Sequence, residues 1–281
     1  MEERFDTLIT AKKNPFKINV KEAIRYKDLI WLFVQRDFKT KYKQTILGPL
    51  WFIIQPLLTT FVFTLVFGNI AGLSTDGAPK FLFYLAGSVP WLYFAAVINQ
   101  TSNTFYAHAR LFGKVYFPRI ITPLSTSITC FFNFFIQFIM FIIIDVAAIL
   151  LGAGAEWTLY VLLSPLLILQ LGLLGMSVGI MISSLTVKYR DLQVLVGFGV
   201  QLWMYMSPVV YSATSINNET LKTLVMINPV SPVIEFMRKG FLGTGSTPWL
   251  HLAISFAVTL ILAFFSVVVF NKTERNFIDK I

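Results

Sequence analysis

The 281-residue chain is short of nearly everything from which catalytic sites are made. Charged residues make up 13% of it and mean hydropathy is +0.70, against about 25% charge in an ordinary soluble domain. So little charge cannot cover a water-facing surface, so most of the surface faces lipid. The single cysteine, Cys130, lies inside an apolar run, which excludes a disulfide framework and Cys/His metal chemistry and leaves packing as its expected role. His108 and His251 each stand alone near a span boundary and suit interfacial structure better than a metal site or proton relay. The pattern GxxxxGK[ST] is missing, and with it the backbone cradle that wraps nucleotide phosphates. Neither a Ser/His/Asp set nor paired carboxylates can be placed in one cleft. Within the apolar stretches the one Asp, Glu, Lys or Arg is Asp145, near an outer end, which argues against coupling to an ion gradient. The charged first ~30 residues contain no cleavable apolar core, so no secretory signal is expected.

What the chain does have is long apolar stretches. A span needs about 20 such residues, and six stretches qualify: 48–68, 81–104, 124–151, 158–184, 194–212 and 249–270. Pro56, Pro90, Pro165 and Pro208 fall within them, where neighbouring helices can satisfy the freed carbonyls. The expected fold is an all-α polytopic membrane protein. Residues 1–46 form a cytoplasmic N-terminal segment, 47–272 the transmembrane domain and 273–281 a cytoplasmic tail. Of the 23 Lys and Arg residues, 19 fall in the N-terminal segment, alternate connections and the tail, and only Lys80, Lys222, Arg238 and Lys239 fall opposite. By the positive-inside rule both termini are cytoplasmic. The net charge of +9 then meets anionic head groups at the inner leaflet, which explains it better than nucleic acid does.

From Glu22 to Ile46 the apolar positions Ile30, Phe33, Val34, Phe38 and Tyr42 recur at helical spacing, with Lys27, Arg36, Lys39 and Lys43 on other faces. Such a helix lies in the inner interface. It is either a simple anchor, or Arg36, Lys39, Lys41 and Lys43 gather an anionic lipid head group beside the entrance to the first span. The segments 106–123 and 186–192 are basic, either as docking surfaces for another protein or simply because they are inside. Outside, 213–248 is too long for a turn and too polar to span. It reads as two short helices at or dipping into the outer interface, the second capped by Ser231 with proline at its first position, and with Glu235 pairing with Arg238 or Lys239.

Uncharged polar residues form stripes: Trp51, Gln55 and Thr59; Thr129, Asn133 and Gln137; Tyr84 and Ser88. Amides and aromatic faces suit sugar rings, and interhelical hydrogen bonds account for the same residues equally well. Gly175 and Gly179 have the small-xxx-small spacing of close helix packing.

Several short motifs follow one another along the chain: Arg36-Asp37-Phe38-Lys39 with Tyr42, then Leu47-Gly48-Pro49-Leu50-Trp51 with Pro56. Phe117-Pro118-Arg119, Tyr189-Arg190-Asp191, Ser207-Pro208-Val209 with Tyr211, and Asn228-Pro229 with Pro232 and Arg238 follow. In this order they resemble the motifs of ABC-2 type permeases that export O-antigen, capsular polysaccharide or teichoic acid. The likeness runs over about 35–275, and it is the combination that is specific. The resemblance implies a bacterial cytoplasmic-membrane assembly of two copies of this chain with two copies of a separate ABC ATPase. ATP and Mg would sit on that partner, with no cofactor on this chain, and the cargo would be a polyprenyl-pyrophosphate-linked glycan. It also implies ATPase contacts at residues 22–46 and at Lys114, Tyr116, Phe117 and Arg119. A pore would include Trp51, Gln55, Thr59, Tyr84, Asn133 and Gln137, and an outer gate would lie over 216–242 with Asn228, Pro229, Pro232, Glu235 and Arg238. An ABC-2 exporter of a drug or small lipid has the same six spans. An ATP-independent lipid flippase needs no ATPase, and a glycan-processing enzyme needs clustered Asp, Glu or His that this chain lacks.

Overall fold

The computed structural model describes residues 24–43, 47–107, 117–153, 155–186 and 191–278. Their regular structure is all helical, with no strand among them. Helix α1 (Lys27–Tyr42) is followed by a 3-10 turn (Gly48–Leu50), α2 (Trp51–Phe63) and a π-helical extension (Thr64–Ile70). Then come α3 (Lys80–Thr101), the short α4 (Thr104–Ala107), α5 (Ile121–Leu150), and α6 (Ser164–Thr186) behind the 3-10 turn Leu159–Leu163. The chain closes with α7 (Leu192–Tyr205), α8 (Glu219–Ile227), α9 (Ser231–Leu242) and α10 (Trp249–Ile278).

Among the described residues, five helical stretches are long and apolar enough to cross a membrane: Gly48–Ile70, Lys80–Thr101, Ile121–Leu150, Leu159–Thr186 and Trp249–Thr273. Hydropathy places all five within a few residues of their observed positions. The stretch expected over 194–212 is different, because its helix stops at Tyr205 after 14 residues. That is about 21 Å of rise, less than a hydrocarbon core of about 30 Å. Pro208 is the cause: it has no N–H to donate, and it biases Ser207 away from helical geometry. Pro165 falls within the fourth stretch as expected, in the first turn of α6, where a missing N–H costs little.

Helix α3 is the hub, packed against α2, α5, α6, α7 and α9. Small residues permit the closest approach, on α6, as the glycine spacing predicts. A Cβ on Gly175 would lie 3.1 Å from the Val97 side chain, and one on Gly179 would run into the Thr101 hydroxyl. Thr60 of α2 and Ser88 of α3 share a hydrogen bond of 3.1 Å, which fixes the buried face of α2 as Phe52, Pro56 and Thr60. The opposite faces of α2 and α7 are exposed, with Leu58, Phe61 and Val62 on one and Val194, Leu195 and Phe198 on the other. Apolar patches of this extent are covered in use, by lipid or by another protein surface.

Contacts between helix ends mark the two ends of the bundle. At one, Phe105 stacks on Phe270 at 5.1 Å and the Thr186 hydroxyl donates to the Ser102 carbonyl at 3.3 Å. At the other, α9 packs on the start of α3 and on the turn leading into α6.

Candidate functional site

At that second end the chain builds a buried polar knot around Arg238. Once Pro208 has broken the helix, the carbonyls of Val209 and Tyr211 have no helical donors. The Arg238 guanidinium donates to them instead, at 2.7 and 3.2 Å. It also lies 3.5 Å from Glu235 Oε1 and 3.7 Å from the centroid of the Phe83 ring. Both charged residues are fully buried. Glu235 uses its other oxygen to accept from the backbone N–H and the hydroxyl of Ser246, at 3.2 and 3.0 Å. Burial lowers the Arg238 pKa to about 10, and Glu235 and then Asp76 oppose the shift, so the guanidinium stays protonated at neutral pH.

Residues around the knot complete it. Gly87 has to be glycine, because a Cβ there would meet Arg238 Nη2 at 2.7 Å and the Val209 carbonyl at 2.8 Å. Asn228 accepts from Trp203 Nε1 at 3.0 Å and from the Val230 N–H at 3.2 Å, and donates to the Ser207 hydroxyl at 2.8 Å. Ser231 is therefore not the cap that the sequence suggests. The backbone is already helical at Val230, Asn228 supplies the local acceptor, and the Ser231 hydroxyl is buried without a hydrogen-bond partner among the described residues. The Pro229 carbonyl accepts from Ser255 of α10, which in turn accepts from Gln170 of α6. Asp76, at φ 53°, accepts from the hydroxyls of Ser212 and Thr214, tying the α2–α3 connection to the same region. All five outer candidates, Asn228, Pro229, Pro232, Glu235 and Arg238, thus fall in one assembly, with Arg238 paired to Glu235 while Lys239 donates to the Gly243 carbonyl at 2.9 Å. Gly87, Phe83 and Asp76 were not anticipated, because they lie on other elements and carry no local signature.

The pathway candidates do not all share a surface. Trp51 is 46% exposed, Gln55 is exposed, and Thr59 donates to the Gln55 carbonyl at 3.0 Å, so this stripe lies on the open face of α2. Tyr84 is completely buried against Gly68 and Phe83. Asn133 is buried in α5, with its Oδ1 lacking a hydrogen-bond partner among the described residues, and Gln137 is half-buried.

At the opposite end α1 lies along α5, with Phe33 packed on Phe117 at 5.8 Å and beside Ile121. Phe117 and Arg119 are both buried there, Phe117 holding α1 in place. Arg36 pairs with its neighbour Asp37 at 2.7 Å and covers the Phe33 ring, whereas Lys39 and Lys43 point outward. The side chain of Lys41, and all of His108, Lys114, Tyr116, Tyr189 and Arg190, lie outside the described residues. Among those described, no group of three metal-ligating side chains comes together.

Five apolar helices of spanning length mark a multi-pass helical membrane protein, with a buried polar knot at one end of the bundle and the basic helix α1 at the other. Residues 28–242 match the ABC-2 type transporter family, and the chain belongs to it. It is similar to the O-antigen export system permease protein RfbA of Myxococcus xanthus, with 26% identity covering 93% of this chain and 98% of that protein. A Klebsiella pneumoniae protein of the same name is 26% identical over 90% of this chain and 94% of its own length.

Proposed function

We propose that this chain is the permease subunit of an ATP-driven exporter that moves a polyprenyl-pyrophosphate-linked polysaccharide across the bacterial cytoplasmic membrane. The observation that carries the reading is the end-to-end similarity to O-antigen export permeases, spanning helices, knot and interfacial helix together. Two copies of the chain would enclose the pathway, with the open faces of α2 and α7 meeting across it and Trp51, Gln55 and Thr59 offered to passing sugar rings. Tyr84 and Asn133 are better suited to packing in this arrangement. Two copies of a separate ABC ATPase would dock at the α1 end, near the connection that holds Lys114 and Tyr116. The pyrophosphate lipid would approach the same end, where Arg36, Lys39 and Lys41 lie on α1 and Lys43 caps it.

The proposed topology has six spans with both termini cytoplasmic. What supports a sixth crossing is that α7 starts beside Leu185 near one end of the bundle and runs to Tyr205, with Trp203 in its last turn bonded to Asn228 toward the other. The broken stretch after it is tolerable within a membrane only if protein groups satisfy its carbonyls, which Arg238 does. Helices α8 and α9 would then form the outer gate. Deleting the gene in its host tests the function. Surface polysaccharide should disappear while lipid-linked glycan accumulates inside. Intact surface glycan together with new sensitivity to a toxic small molecule would favour a drug exporter instead.

A further inference from the structure

Helix α1 does not seal against α5 along its whole length. Between them runs an open groove of about 360 Å³. Its walls are apolar: Trp31, Val34 and Phe38 from α1, and Phe132, Phe135 and Ile136 from α5. Trp31 and Phe132 meet edge to face at 5.9 Å and close one side. The polar groups sit along one edge. Gln35 and Lys39 follow Trp31 at steps of four residues, and Lys43 continues the stripe one turn further on. Lys39 and Lys43 are exposed and form no ion pair among the described residues, while nearby Arg36 is engaged by Asp37.

We propose that this groove holds an acyl chain of a resident anionic phospholipid, with its phosphate on Lys39 and Lys43. Charge decides the occupant. A second copy presenting the same face would set lysine stripes against each other, whereas a lipid brings an apolar chain to the aromatic walls and a negative phosphate to the cationic edge. Phe135 also lines a larger groove of about 610 Å³ between α5 and α6, walled by Phe131, Phe138, Ile168 and Leu169, so a chain entering beside Lys39 can continue along the same helix. A lipid bound there would fix the angle at which α1 leaves the bundle, and so the entry to Gly48 and α2. The inference rests on the proposed placement of α1 at the inner interface, and it gives Lys39 and Lys43 to a resident lipid, not to the cargo lipid that approaches the same end.

Trp31 reports on the site. The full-length chain is reconstituted in phosphatidylethanolamine nanodiscs containing equal mole fractions of acyl-brominated phosphatidylglycerol or acyl-brominated phosphatidylethanolamine, and Trp31 quenching is isolated as the difference from Trp31→Phe. Brominated phosphatidylglycerol should quench at lower mole fraction, and the preference should fall about fivefold for each lysine neutralised in Lys39→Gln and Lys43→Gln. Lys39→Arg should retain it, and so should Lys222→Gln on α8. Equal quenching by the two lipids would overturn the anionic preference. Absence of quenching by either would mean that another protein surface covers the groove. One-for-one displacement by polyprenyl phosphate would make it a cargo site and overturn the resident-lipid assignment. Loss of glycan export in the deletion strain bears on the exporter reading alone and leaves this result unaffected.

Discussion

Replacing Arg238 by methionine keeps most of the side-chain volume and removes everything that the guanidinium does. Three kinds of interaction are lost together: the pair with Glu235 at 3.5 Å, the hydrogen bonds to the Val209 and Tyr211 carbonyls at 2.7 and 3.2 Å, and the stacking over Phe83 at 3.7 Å. What remains is a fully buried carboxylate and two carbonyls without donors. Removing one partner of a buried pair costs about 3–5 kcal/mol. Glu235 keeps its two bonds from Ser246, which places the expected loss toward the lower end of that range. Glu235→Gln should cost less, roughly 1–3 kcal/mol, because Arg238 retains both carbonyls and the ring. In the double variant no charge is buried at all, so it should be less destabilised than the sum of the singles, with a coupling of about 0.5–3 kcal/mol. The assay is reversible unfolding of the purified chain in mixed micelles titrated with SDS, followed by tryptophan fluorescence. An Arg238→Met protein that unfolds at the wild-type SDS fraction would refute the reasoning, and so would strict additivity of the two changes.

Three further outcomes are expected. Gly87→Ala should destabilise the purified chain by about 1–3 kcal/mol through overpacking against Arg238 and Val209, while Gly197→Ala, whose Cβ would meet nothing within 4 Å, should be neutral or slightly stabilising; thermal unfolding in one detergent compares the pair. Asn228→Ala should cost about 1–3 kcal/mol and shift the emission assigned to Trp203, by difference from Trp203→Phe, because the indole N–H loses its acceptor. Trp51→Ala should leave ATPase-bound complex yield unchanged, since nearly half the side chain is exposed, yet lower glycan export per assembled complex; normal export at reduced yield would remove Trp51 from the pathway.

Hydropathy located the five long helices because lipid imposes one requirement on all of them, about 20 apolar residues in a row. The same rule overran α7, since Val209 and Val210 continue the apolar run past the point where Pro208 ends the helix. Spacing alone brought Glu235 and Arg238 one turn apart, and the structure pairs them. Their complete burial was not legible, because the acceptors for Arg238 are backbone carbonyls nearly thirty residues earlier and carbonyls leave no trace in side-chain identity. Polar stripes were ambiguous for a related reason. Periodicity gives the face on which Trp51, Tyr84 and Asn133 lie and says nothing of what that face meets: open space for Trp51, the protein interior for the other two.

The broken α7 and the buried arginine explain each other. A proline in a span releases carbonyls that lipid cannot satisfy, and a buried guanidinium needs acceptors that lipid cannot supply. Each would be costly alone, and together they form a joint between the apolar helix α7 and the short helix α9. That joint is made of a few directional bonds, with Asn228 and Asp76 adding contacts at its margins, and does not depend on continuous helix. A joint of this kind can rotate as a unit or release as a unit. Movement of α7 against α3 would therefore carry α9 with it for as long as Arg238 holds the Val209 and Tyr211 carbonyls. In the proposed exporter this couples a pore-facing helix to the outer gate through backbone hydrogen bonds, and an Arg238→Met chain that still assembles should hydrolyse ATP with its partner while failing to keep the outer end closed.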